Sequence, residues 1–173
     1  MPNKKSTTKL STWSKIWRIS LAVIVPLGGG MIVSLFTRDA MAKFGSFNQP
    51  PLAPPAILFP IAWTILYVLM GIASYFIWKK GYDSRKQSDK FLSKAALIIY
   101  AAQLIFNFTW TPLFFNAGLY WVAFAVLMVM WISEIVLIVK AFKLSRVAGW
   151  CLLPYLLWTT FAAYLNVSIA ILN

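Results

Sequence analysis

Histidine is absent from the 173 residues, which excludes a His-based catalytic triad, a His-liganded metal and an imidazole proton relay. Only four acids are present, Asp39, Asp83, Asp89 and Glu134, too few to cage a hard cation or to form a buried carboxylate dyad. The single cysteine, Cys151, has no intrachain partner, so there is no disulfide scaffold. Charged residues amount to 12%, against about a quarter in ordinary soluble domains. No catalytic or metal-binding set is expected.

Apolar length and positive charge are what the chain has in excess. Hydrophobic residues make up 61% and the mean hydropathy is +0.75, which excludes both a soluble domain and a disordered tail. The net charge of +12 could suit nucleic acid, whose phosphates attract basic patches. However, the basic residues fall in short clusters between long uncharged runs, the distribution of a polytopic membrane protein. The lipid bilayer, not nucleic acid, is the expected partner.

Ile19–Thr37 and Phe44–Trp78 carry no charge, Ala95–Val139 carries only Glu134, and Val147–Asn173 is uncharged. A spanning helix needs about 20 apolar residues, so the 45 positions from Ala95 to Val139 must hold two. The expected break is Thr111-Pro112 followed by Asn116-Ala117-Gly118, because proline removes a donor and Asn/Gly favour a tight turn. Pro50, Pro51, Pro54 and Pro55 oppose a regular helix up to about Pro55. The expected fold is an all-α membrane protein, a five-helix transmembrane bundle over 19–173, with spans near 19–36, 56–78, 95–114, 119–139 and 147–171, preceded by a basic tail over 1–18.

Lys and Arg number five in that tail, six after span 2 and three after span 4, against only Arg38 and Lys43 on the other side. The positive-inside bias places the N-terminus in the cytoplasm and the C-terminus outside, in a bacterial cell membrane, or in an organelle membrane if the host is eukaryotic. Trp13, Trp17, Trp78, Trp121 and Trp150 fall near span ends, where indoles anchor at the interface. A basic start before Ala40-Met41-Ala42 resembles a secretory signal, but the apolar run of about 18 residues exceeds the 7–15 of such a segment. Gly28, Gly29 and Gly30 look like close helix packing, with Gly30 and Ser34 as a small-xxx-small pair.

Polar and aromatic groups recur at helical spacing within the spans. Trp63, Tyr67 and Gly71 share a face of span 2, and Gln103, Asn107, Trp110 and Phe114 share one of span 3. Tyr155, Trp158, Ala162, Leu165 and Asn166 lie along a broad face of span 5. In the expected orientation Trp63, Tyr67, Asn107, Trp110 and Asn166 sit at one depth under the proline-rich segment and could converge on one pocket, the usual form of a small-molecule site. The competing reading is that the amides only join helices and the rings only pack. Glu134 reads as a polar contact or as snorkelling toward a loop cation, since one acid without a buried partner makes a poor proton relay. Cys151 reads as a small packing residue.

The blocks Pro54-Pro55, Phe59, Trp63, Leu66-Tyr67, Met70-Gly71, then Gln103-Leu104, Asn107, Trp110, Phe114-Phe115, then Leu153-Pro154-Tyr155, Trp158, Phe161-Ala162, Leu165-Asn166 resemble the signature of the TspO/MBR (tryptophan-rich sensory protein / translocator protein) family. The likeness runs from about Pro26 to Asn173. It implies a five-helix bundle, commonly a homodimer, that binds tetrapyrroles such as protoporphyrin or haem as ligand rather than as resident cofactor. The implied pocket is lined by Trp63, Tyr67, Asn107, Trp110, Trp158, Phe161 and Ala162, with Ala53 and Pro54 in a loop lid. In this sequence Leu52 stands where the family usually has tryptophan, and no basic residue follows Arg146, so the sterol motif of animal members is missing. Without histidine, bound haem iron would lack its commonest axial ligand, which favours a metal-free porphyrin.

The expected function is therefore tetrapyrrole binding in an aromatic pocket, for transport, sensing or stress regulation. The alternative is enzymatic, a light-dependent oxidative degradation of porphyrin with Trp63 and Trp158 against the ring. The chemistry would then belong to the excited ligand and oxygen.

Overall fold

The computed structural model describes residues 11–173, so positions 1–10 of the expected basic tail lie outside the described residues. The helices are α1 (Thr12–Phe36), α2 (Ala40–Ser46), α3 (Leu58–Asp83), α4 (Gln87–Phe115), α5 (Tyr120–Leu144) and α6 (Arg146–Leu172). Five of them are long and apolar enough to cross a membrane, as the uncharged runs required. The short α2 was not foreseen; it ends before the prolines that argued against helix in this segment.

The boundaries follow local chemistry. α1 starts seven residues before the expected span because Ser11 caps it, accepting from the Ser14 N–H at 3.2 Å. Trp13–Arg18 are thus the helix's first turns rather than tail. α3 begins just past Pro54-Pro55 and carries Pro60 in its first turn, where a missing N–H costs no intrahelical bond. Of the expected break, Asn116-Ala117-Gly118 is where the chain turns, but Thr111-Pro112 stays helical, for α4 runs through Pro112 and stops at Phe115, one residue past the expected span end. Buried Trp110 and Phe114 hold the last turn on both sides of the proline. The reversal comes afterwards, where Asn116 and Ala117 both donate to the Pro112 carbonyl at 3.0 Å and Gly118 takes φ +64.

The bundle is a ring in the order α1, α3, α6, α5, α4, closed by α1 against α4, with α3 also packed directly on α4. α1 comes backbone to backbone with α3 at one point, where a Cβ on Gly71 would lie 2.6 Å from the Val23 Cα and 2.7 Å from the Ala22 carbonyl oxygen. Gly28 has no neighbour within 4 Å, while Gly29 and Gly30 face the side chains of Phe108 and Tyr67. The expected backbone contact at this glycine run is therefore corrected to ring packing. Of the five tryptophans near span ends, Trp13, Trp17, Trp121 and Trp150 are exposed, whereas Trp78 is half-buried under the Arg18 guanidinium.

Glu134 is not a snorkelling residue. It is fully buried and its carboxylate accepts from Thr159 Oγ1 at 2.9 Å, so α5 meets α6 through this polar contact. Its reach is limited because it faces the bundle core, where the described residues offer no cation.

Candidate functional site

The Arg38-bearing end of the bundle contains a partly open cavity of about 320 Å³ between α1, α2, α3 and α4, within the size range of small-molecule sites. Helical spacing builds its walls. Trp63 and Tyr67 point in from one face of α3 and stack at 5.4 Å between ring centroids. Trp110 and Phe115 close it from α4, Phe44 from α2, and Phe59 from the first turn of α3. α1 contributes Leu27, Gly30 and Ser34, and the turn between α1 and α2 contributes Arg38. A Cβ at Gly30 would collide with the Tyr67 ring, so glycine is what lets this ring stand against α1.

The three aromatic groups Trp63, Tyr67 and Trp110 therefore do converge. The amides of the expected set do not line the cavity but lie behind it. Asn107 is buried and joins three helices, accepting from Tyr67 Oη at 2.7 Å through Oδ1 and donating from Nδ2 to Tyr155 Oη at 3.2 Å. Asn166 accepts from the Trp110 indole Nε1 at 3.0 Å and donates to the Tyr120 carbonyl at 2.9 Å. Each amide fixes the orientation of a cavity ring from the second row, which is the helix-joining role combined with a positioning one.

Trp158 and Phe161 line a separate groove between α3 and α6, shared with Ile65, Leu66 and Leu157. Phe59 lies between the two spaces, a cavity residue whose ring meets Trp158 edge-on at 5.9 Å. Ala162 is buried in the bundle core. Ala53 and Pro54 are half-buried in the segment joining α2 to α3, which is tied to the end of α6. The Asn48 N–H donates to Asn173 Oδ1 at 2.9 Å and Tyr164 Oη donates to the Pro51 carbonyl at 2.5 Å. Within this segment Leu52 has φ +70 and is 82% exposed.

Arg38 is the functional candidate that sequence reasoning passed over. It has no acidic partner among the described residues, and it is one of only two basic residues at this end, which was the available signal. Lys43, the other, donates to the Phe115 carbonyl at 2.8 Å and ties α2 to the end of α4. No cluster of metal-ligating side chains occurs among the described residues. Chemically the site offers flat apolar surface, including the Tyr67 ring whose hydroxyl is engaged by Asn107, hydroxyls from Ser34, Thr37, Thr64 and Thr111, and one guanidinium.

Residues 22–172 match the TspO/MBR family. The chain is 39% identical over 141 residues to the tryptophan-rich sensory protein of Cereibacter sphaeroides, covering 79% of this chain and 83% of that one. It is 33% identical over 161 residues to the tryptophan-rich protein TspO of Archaeoglobus fulgidus, with 91% and 98% covered. To the translocator protein of Ovis aries it is 33% identical over 144 residues, with 83% and 82% covered. With five helices of membrane-spanning length and a family match across nearly all of them, this chain belongs to the TspO/MBR family of membrane proteins.

Proposed function

We propose that the cavity binds a planar tetrapyrrole, protoporphyrin in preference to haem, and that the protein serves in its transport, sensing or regulation. The observation that carries this reading is an indole-and-phenol wall, Trp63, Tyr67 and Trp110, beneath a lone guanidinium, Arg38. Aromatic planes favour a flat conjugated ring by stacking as well as by area burial. Arginine matches a carboxylate bidentately, which suits the propionates of protoporphyrin. The names of the relatives, sensory protein and translocator protein, agree with ligand detection or movement. A homodimer, with the Lys-rich end of each protomer in the cytoplasm, completes the proposal.

The test is a titration of purified protein with protoporphyrin and with its dimethyl ester, read from porphyrin emission. Trp63→Ala should weaken both ligands roughly tenfold, the loss of about 1.4 kcal/mol. Arg38→Gln should weaken protoporphyrin several-fold and leave the ester unchanged. Trp158→Ala, in the separate groove, should change neither. Unaltered protoporphyrin affinity in both Trp63→Ala and Arg38→Gln removes the cavity from the reading. Oxidative degradation of porphyrin would need Trp63 and Trp158 against one ring, and here the two line adjoining spaces with Phe59 between them.

A further inference from the structure

The opposite end of the bundle carries a second feature, independent of what the cavity binds. A groove of about 670 Å³ runs between α3 and α4, walled by Trp78 and Tyr82, rimmed by Lys90 and Lys94, and floored by Leu97 and Ile98. Trp78 and Tyr82 stack at 5.0 Å, and the Arg18 guanidinium of α1 sits over them, 4.5 Å from the Trp78 centroid and 5.9 Å from that of Tyr82. The closeness of α3 and α4 here is set by Gly81, where a Cβ would collide with Ser93.

The acids near this groove are already engaged. Lys79 pairs with Asp83, while Lys80 lies 3.7 Å from Asp89, which also accepts from Ser84 Oγ at 2.7 Å. Among the described residues Lys90 and Lys94 have no acidic partner, and Arg18 donates only to Ser14 Oγ at 3.4 Å. Two uncompensated cations therefore rim an aromatic-walled channel, and the Arg18 guanidinium caps its Trp78 wall. Lys90, Lys94, Leu97 and Ile98 recur at helical spacing on one face of α4, so charge at the mouth passes directly into apolar surface. At 1.5 Å per residue, Lys90 to Ala101 covers about 16 Å, roughly half the hydrocarbon thickness.

We propose that this groove is a site for an anionic glycerophospholipid, its phosphate held by Lys90, Lys94 and Arg18 and an acyl chain laid on Leu97 and Ile98. Unpaired ammonium groups attract the phosphate. Indole and phenol rings suit the glycerol depth, where one edge is apolar and the other wet. The long apolar floor selects a lipid over free phosphate, to which it would add nothing.

The experiment is native mass spectrometry of the full chain released from nanodiscs of phosphatidylglycerol and phosphatidylcholine mixed equally. Wild type should retain phosphatidylglycerol adducts in at least fivefold excess. Lys90→Gln/Lys94→Gln should abolish that excess, while Lys140→Gln/Lys143→Gln, the same loss of charge at the same end but outside the groove, should preserve it. Tyr82→Ser, at an exposed wall position, should reduce it. Millimolar inorganic phosphate should not compete. Equal retention of both lipids, equal loss in the two lysine pairs, or displacement by inorganic phosphate overturns the site.

Discussion

Single side chains here act mostly through the hydrogen bond they satisfy in lipid, where no water can replace a lost partner. Asn166 is the sharpest case, because its removal strands the buried Trp110 indole N–H and breaks the side-chain link to the Tyr120 carbonyl at the start of α5. Asn166→Ala should lower stability by about 1–2 kcal/mol, seen as an earlier thermal unfolding midpoint in detergent. It should also weaken cavity binding by releasing the Trp110 ring, whereas an unchanged midpoint would show that Trp110 finds another acceptor. Glu134 behaves differently. Thr159 Oγ1 also reaches the Leu156 carbonyl at 3.1 Å, so Glu134→Gln keeps an acceptor and leaves no hydroxyl stranded. That variant should sit within about 1 kcal/mol of wild type. The contrast between Asn166 and Glu134 was invisible in sequence, because helical spacing says which side chains share a face but not which partner each will find across the bundle.

Elements are where the sequence was most legible and also where it misled in an instructive way. Uncharged runs located five spans because span length is imposed by the bilayer, and the Lys/Arg clusters marked their ends. Pro112 misled because proline's penalty is local, while the packing of Trp110 and Phe114 that overrides it is tertiary. The glycines misled likewise. The run at Gly28–Gly30 drew attention, yet the close backbone approach belongs to Gly71 against Val23 and Ala22. Because its would-be Cβ meets backbone rather than a movable side chain, Gly71→Ala must push α1 from α3, at a cost of about 1–3 kcal/mol. The same change at Gly28 meets open space and should be near neutral. Parallel unfolding curves for the two variants check this, and an equal effect would show that the crossing is not where stability resides.

At the scale of the whole molecule, the cavity lies beside the least committed helix. Only 6% of the apolar window of α1 is buried, against 44% for α3 and 33% for each of α4, α5 and α6. Sequence could pick out the rings of α3 and α4 from their spacing and the Gly30/Ser34 pair on one face of α1, but not that this pair, with Arg38 in the turn after α1, faces a cavity rather than another helix. The family blocks drew Trp158 and Phe161 into the same set, although the α3–α6 contact diverts them into another groove. A loosely held wall should open locally at lower free energy than the α4–α5–α6 core, since few buried contacts resist it. A ligand that touches α1 and α3 at once would supply the missing contacts. Hydrogen exchange in nanodiscs should therefore be fastest among the spanning helices in the Leu27–Phe36 stretch of α1. Saturating protoporphyrin should slow that stretch several-fold and leave α5 unaffected. Protection spread evenly over all five spans, or confined to α6, would place the ligand elsewhere than the cavity under Arg38.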